Sequence, residues 1–188
     1  MKRILVVAPH LDDEAFGIGG SLAKWKAEGK EIHLMFLCKG RDLQNSIDRI
    51  LANEKIITEL NIGRTVLQYE DLSLEQEKLS NITRAIELII NWFEPDTVLT
   101  CSEYDLHQDH QITNRAVRIA ARPSRSLVKE IYEFKIPGSA LYQNVYYDTL
   151  HDISEYVELK QKLMNYYETE NIPECKHIEY FRTIYREL

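Results

Sequence analysis

Ile4 to Ala8 is apolar at every position, and this run constrains the fold more than any other feature of the chain. A strand with one face in water alternates apolar and polar residues. An unbroken run predicts burial on both faces, the signature of a parallel sheet sandwiched between helices. The pattern continues in that sense. Gly17 to Gly20 opens a predicted helix through Ser21 to Glu28 that stops at Gly29, and Ile32 to Cys38 is a second apolar run, which completes a β-α-β unit. A helix is then predicted from about Ile47 to Leu60, a strand at Thr65 to Gln68 and an acidic loop from Tyr69 to Leu74. Ser73 and Gln76 form an S-x-x-Q capping box ahead of Leu79, Ile82, Ile86, Ile89, Ile90 and Phe93, which recur at helical spacing. That stripe reads as core.

Beyond Pro95, Thr97 to Cys101 reads as another buried strand and Ile112 to Arg122 as a helix ended by Pro123. Glu130 to Lys135 and Asn144 to Asp148 read as later strands about a Pro137-Gly138 turn. Asp152 and Glu155 form a second capping box for a helix reaching about Tyr167, and Cys175 to Leu188 reads as a terminal helix. The expectation is an α/β fold: a single Rossmann-like, doubly wound domain over residues 1–188 with a mostly parallel sheet. Its 188 residues suit one core, since single cores stop growing near about 250 to 300 residues.

Charge and cysteine content narrow the function classes. The excess of 30 Asp and Glu over 23 Lys and Arg, a net charge of −7, repels a phosphate backbone and argues against nucleic acid as the partner. Cys38, Cys101 and Cys175 are odd in number and show no C-x-x-C spacing, as suits reduced thiols. The five apolar residues before Pro9 are too few for a signal-peptide core, and no run approaches the ~18 needed to span a bilayer. The expected location is cytoplasmic, with no membrane span. The tyrosines between Tyr142 and Tyr147 and at Tyr166 and Tyr167 suit a homo-oligomer interface and core packing equally.

The chemistry gathers in two segments, each following a buried strand, where open α/β sheets keep their binding crevice. Ala8 to Glu14 reads A-P-H-L-D-D-E and brings together His10, Asp12, Asp13 and Glu14. Adjacent carboxylates repel one another unless a cation or strong donors stand close. The same acids would also suit the N-terminus of the next helix. Asp105 to His110 reads D-L-H-Q-D-H, with His107 and His110 flanking Asp109. One imidazole at that spacing can bind a metal while the other faces a substrate, with the carboxylate orienting a ring. Together the segments offer two nitrogens and an oxygen, the donor set of a catalytic zinc site with a vacant position at the C-terminal edge of the strands. Gly17, Gly19 and Gly20 do not make a dinucleotide fingerprint, because the carboxylate cluster intervenes after the strand; close packing of the helix explains them better.

These segments resemble the motifs of the PIG-L/LmbE-like family of zinc-dependent N-deacetylases, H-P-D-D-E with a following glycine pair and H-P-D-H. Leu11 and Gln108 stand here in place of the prolines. The resemblance implies a Rossmann-like fold and a hydrolase that removes acetyl from an N-acetylated amino sugar or GlcNAc-containing conjugate, a small-molecule partner. It implies that His10, Asp13 and His110 hold Zn²⁺, that Asp12 is the general base, and that His107, off the metal, stabilises the oxyanion. Asp109 would orient a histidine. Arg49 falls where the family often has a substrate-contacting arginine, and Asp71 lies in the loop where related enzymes contact sugar hydroxyls. Two other readings stand beside this one. A receiver-like signalling domain also ends a strand in paired acids around Mg²⁺, but it needs an aspartate ending a central strand and gives His107 and His110 no task. A metal-binding member of the same fold that is not a deacetylase would keep the same ligands, because fold does not fix substrate.

Overall fold

A computed structural model describes residues 2–139, 145–170 and 172–187. Among them seven strands form one sheet: β1 Arg3–Ala8, β2 Glu31–Cys38, β3 Gly63–Tyr69, β4 Thr97–Cys101, β5 Glu130–Phe134, β6 Thr149–Asp152 and β7 Ile178–Arg186. The strand order is β3-β2-β1-β4-β5-β7-β6. The first five run parallel, β7 pairs antiparallel with β5, and β6 antiparallel with β7. The sheet is therefore mostly parallel and doubly wound, as the apolar run at β1 demanded.

Among the described residues five α-helices cover its faces: α1 Asp13–Ala27, α2 Leu43–Leu60, α3 Leu79–Phe93, α4 Gln108–Ala120 and α5 Val157–Asn165. β1 divides its side chains between two cores. Ile4, Val6 and Ala8 pack with Leu22 of α1, Ile56 of α2 and Leu163 of α5, while Leu5 and Val7 pack with Ile82 and Ile86 of α3 and Val117 of α4. Period-two alternation puts successive residues on opposite faces, so a strand with helices on both sides must be apolar throughout. Two of the three glycines of α1 are there for close approach. A Cβ at Gly17 would stand 2.6 Å from the Phe134 ring, and one at Gly20 would stand 2.4 Å from Ile153 Cδ1.

The order of strands fixes where a site can form. β2 and β3 extend the sheet on one side of β1, and β4 and β5 on the other, so the chain reverses direction between β1 and β4. These two strands are hydrogen-bonded in register from Ile4 opposite Thr97 to Val7 opposite Thr100. Their C-terminal ends open the crevice in which doubly wound sheets bind ligands. The segments after Ala8 and Cys101 meet there.

Several elements differ from expectation. The segment read as a terminal helix contains β7, because Ile178-Glu-Tyr-Phe-Arg-Thr-Ile-Tyr-Arg186 is rich in aromatic and β-branched residues. It also buries alternate side chains, Glu179 and Phe181. The strand placed at Asn144 to Asp148 lies instead at β6; Asn144 falls outside the described residues, and Asp148 accepts the Thr183 N–H with its side chain. Ser73 does not cap α3. It precedes a one-turn 3-10 helix, Leu74–Gln76, and its hydroxyl donates to the Glu70 carbonyl, while α3 starts after Lys78. Asp152 does not cap α5 either: it ends β6 and accepts the Ser154 N–H at 2.9 Å, while the N-cap of the 3-10 turn Ser154–Tyr156 is Ile153 and that of α5 is Tyr156. Most consequential for the site, α1 and α4 begin earlier than predicted, so that Asp13 and His110 both occupy first helical turns.

Candidate active site

The two segments converge as strand-to-helix junctions. His10 follows β1, and its backbone N–H donates to Asp13 Oδ2 at 2.9 Å, which folds the loop back on the start of α1. Asp13 spans the gap between the histidines of the two segments: its Oδ2 lies 3.5 Å from His10 Nδ1 and its Oδ1 lies 3.3 Å from His110 Nε2. All three side chains are buried. His107 is the N-cap of α4, and its Nδ1 accepts the Asp109 N–H at 3.2 Å. The neutral ring therefore carries its proton on Nε2.

Asp109 orients His10. Its Oδ2 lies 3.2 Å from His10 Nε2 and also accepts the Leu72 N–H at 2.7 Å. Leu72 adopts a left-handed backbone with φ of 60°, which is costly for a branched side chain. That strain is held by the Asp109 bond and by Gln108, whose side chain donates to the Leu72 carbonyl at 3.0 Å. Asp105, which sequence reasoning gave no role, lies with Oδ2 2.8 Å from His110 Nδ1 and accepts the His107 N–H at 2.9 Å through Oδ1. A carboxylate on the far nitrogen of an imidazole fixes its tautomer and raises its basicity.

Arg49, on α2, lies between Asp12 of the loop after β1 and Asp71. One of its terminal nitrogens is 3.0 Å from Asp12 Oδ2 and the other 3.8 Å from Asp71 Oδ2. Asp71 in turn accepts the Gly40 N–H at 3.1 Å. Beneath the loop Glu14 is fully buried. Its Oε1 accepts from Asn53 Nδ2 and from the Tyr167 hydroxyl, each at 2.8 Å, and its Oε2 has no partner. Glu14 thus ties α1 to α2 and to the segment after α5, a role beyond the helix-terminal charge that its position suggests.

Electrostatics follow from so many acids in so little water. Burial and the adjacent Asp13 charge push Asp12 up to about 6, against the pull of Arg49. Burial likewise raises Glu14, to about 8, with Asp12 adding to the effect. Burial would raise Asp13 as well, but His110 and His10 hold it well below the usual carboxylate range. For His10 burial is outweighed by hydrogen bonds to Asp109 and Asp13, which raise it to about 10; for His110 it is outweighed by Asp13 and Asp105, which raise it to about 9. His107 goes the other way, lowered by burial and by its two histidine neighbours.

These residues fit a divalent cation. Nitrogens of His10, His107 and His110 lie within 4.8 Å of one another, as do ligand atoms of Asp13, Cys101 and His110, and Asp109 Oδ1 is buried without a partner. His107 thus joins His10 and His110 through one nitrogen each, whereas Asp13 meets His10 through Oδ2 and His110 through Oδ1. Burial raises the Cys101 thiol far above its usual value, so it is the weakest donor of the set.

The decisive comparison is with sequence families: the family described as PIG-L, GlcNAc-PI de-N-acetylase, matches residues 5–121, which include both segments. The chain belongs to this family. A curated relative, the probable N-acetyl-alpha-D-glucosaminyl L-malate deacetylase 2 of Bacillus cereus, is 27% identical over 130 residues, covering 62% of this chain and 59% of the relative. The chain thus aligns with less than two thirds of that relative's length. Among solved structures, the N,N'-diacetylchitobiose deacetylase of Pyrococcus horikoshii superposes with a TM-score of 0.77 at 17% identity, over 97% of this chain and 84% of that one. The 4-carboxy-2-hydroxymuconate hydratase of Pseudomonas putida superposes equally well, with a TM-score of 0.77 at 16% identity over 100% and 98% of the chains. The likeness to these structures shows the fold alone, one shared by proteins with different named reactions.

Proposed function

We propose that this PIG-L protein is a zinc-dependent hydrolase that removes the acetyl group from an N-acetylated amino sugar or GlcNAc-containing conjugate. The observation that carries the reading is the position of Asp13 between His10 and His110, at 3.5 and 3.3 Å, with Asp12 beside it and turned to Arg49. His10, His110 and Asp13 would hold the ion. His107 is assigned off the metal because its Nδ1 is already taken by the Asp109 N–H. When bound, zinc supplies Lewis-acid activation of water and of the acetyl carbonyl.

The chain's own residues supply the remaining steps. Asp12 accepts a proton from the attacking water and returns it to the departing amine, and its elevated pKa places it near the range in which a carboxyl can do both. His107, neutral with its proton on Nε2, donates a hydrogen bond to the acetyl oxygen as negative charge develops there. Protonation of this ring is not required, and its lowered pKa favours the neutral donor. Asp109 and Asp105 fix the rings of His10 and His110, and Asp71 and Arg49 form the wall nearest Asp12.

Acetate release from N-acetylglucosamine glycosides by the zinc-loaded protein, lost on chelation and restored by zinc, tests the proposal. Tight zinc binding with no acetate released from any N-acetylated sugar would refute it. The hydratase neighbour makes the second reading specific: a member of the fold whose metal serves another substrate would give that result.

A further inference from the structure

The Arg49 guanidinium is the buried cation on the wall beside Asp12, and its residue is 9% exposed. It is already heavily engaged. Asp12 Oδ2 and Glu170 Oε1 both contact Nη2, at 3.0 and 2.8 Å, and Asp71 stands 3.8 Å from Nη1. Three carboxylates thus share one guanidinium. Glu170 differs in origin from the other two: it lies between α5 and β7, beyond the residues that the family match covers.

Glu170 is also held in place. Its backbone N–H donates to the Tyr167 carbonyl at 3.0 Å, and the buried Tyr167 hydroxyl is anchored to Glu14. The side chain keeps about a quarter of its exposure, at 27%, so it reaches Arg49 from the solvent side of the crevice. An arginine at this depth is otherwise a ready receptor for a phosphate or carboxylate, through a planar fork of donors. Lys39, half-buried, and Arg41, exposed, lie on the loop after β2, where solvent screens the exposed charge.

We propose that Glu170 is a specificity-determining residue: it occupies Arg49 and turns the site away from conjugates that carry an anionic group beside the sugar. The substrate class is then N-acetylated sugar conjugates that are uncharged or cationic at that position. This deepens the deacetylase reading and rests on it for the reaction. The physical basis is that an incoming anion must displace Glu170 while Asp12 and Asp71 remain, so it meets a net negative wall; like-charge juxtaposition suppresses wrong partners just as attractive contacts select the right one.

The test compares the zinc-loaded wild type, Glu170→Gln and Glu170→Asp on methyl N-acetylglucosaminide and on N-acetylglucosamine 1-phosphate. The kcat/KM ratio of the phosphate to the glycoside should rise about five- to tenfold in Glu170→Gln, the order expected of one partly solvated charge. In Glu170→Asp it should stay within about twofold of wild type, because the charge is retained. Calorimetric titration with glucosamine 1-phosphate and methyl glucosaminide, which are not turned over, should show the same shift in relative affinity. A ratio that does not move in Glu170→Gln, or that moves equally in Glu170→Asp, overturns the inference. Should no variant hydrolyse either acetylated compound, the deacetylase reading fails, and the titration still decides the role of Glu170.

Discussion

Replacing Glu14 by Gln tests the electrostatic account of the loop through stability alone. Glu14 is fully buried, its Oε1 accepts two hydrogen bonds and its Oε2 none, and burial together with the neighbouring Asp12 raises its pKa from the ordinary 4.5 to about 8. The folded protein therefore takes up a proton that the unfolded chain releases above pH 4.5. The sign follows: the raised pKa contributes stability that is fully present below pH 4.5 and is lost progressively as pH rises to about 8. At about 1.4 kcal/mol for each pH unit, that window bounds the loss at roughly 5 kcal/mol. Glutamine is isosteric with the neutral acid and cannot ionise. Its amide would leave two buried N–H donors without acceptors where the neutral acid leaves one O–H, at a cost of about 1 to 3 kcal/mol that does not vary with pH. The diagnostic is thus the slope. In urea unfolding of the metal-free protein between pH 5 and 9, the stability difference should move in favour of Glu14→Gln with rising pH, by about 2 to 4 kcal/mol, and level off above pH 8. A difference that is flat across the range, or one that moves toward the wild type, would refute the reasoning.

Other perturbations separate the parts of the site from the scaffold. Asp12→Ala should lower acetate turnover by roughly 10² to 10⁴ while zinc content stays at the wild-type level, since it removes a proton carrier and not a ligand; loss of zinc along with activity would count against that division. Gly20→Ala places a methyl 2.4 Å from Ile153 Cδ1 and 2.9 Å from its Cβ, and should cost about 1 to 3 kcal/mol in denaturant unfolding. An unchanged midpoint would mean that α1 is not held against this part of the fold.

The parts of this fold written in local patterns were legible in the sequence. The uninterrupted apolar run of β1, the helical stripe from Ile82 to Phe93 and the close packing of the α1 glycines were readable locally, and the sheet order, the core and the close approach at Gly17 and Gly20 agree. The two polar segments were legible for a topological reason: they follow strands that a doubly wound sheet sets side by side. What escaped depends on contacts between distant residues. β7 was read as a helix although Ile178 to Arg186 carries the aromatic and β-branched residues of a strand; what the local pattern lacked was its partners, β5 and β6. The Asp109 carboxylate turns to His10, 99 positions away, and not to the histidines that flank it, since its backbone is committed to capping by His107. Asp105 was visible at the head of its motif, and its position five residues before His110 was the available signal. Nothing local marks Glu170, which meets Arg49 only through the turn that Tyr167 anchors.

The central claim is that one divalent ion is held by His10, Asp13 and His110 and not by His107. Zinc content of the purified chain and of its His10→Ala, Asp13→Ala, His110→Ala and His107→Ala variants, measured by mass spectrometry after equilibration at equal free zinc, tests it directly. The account predicts about one zinc per chain in the wild type and His107→Ala, and marked loss in each of the other three. Retention of zinc by Asp13→Ala together with its loss from His107→Ala would contradict it.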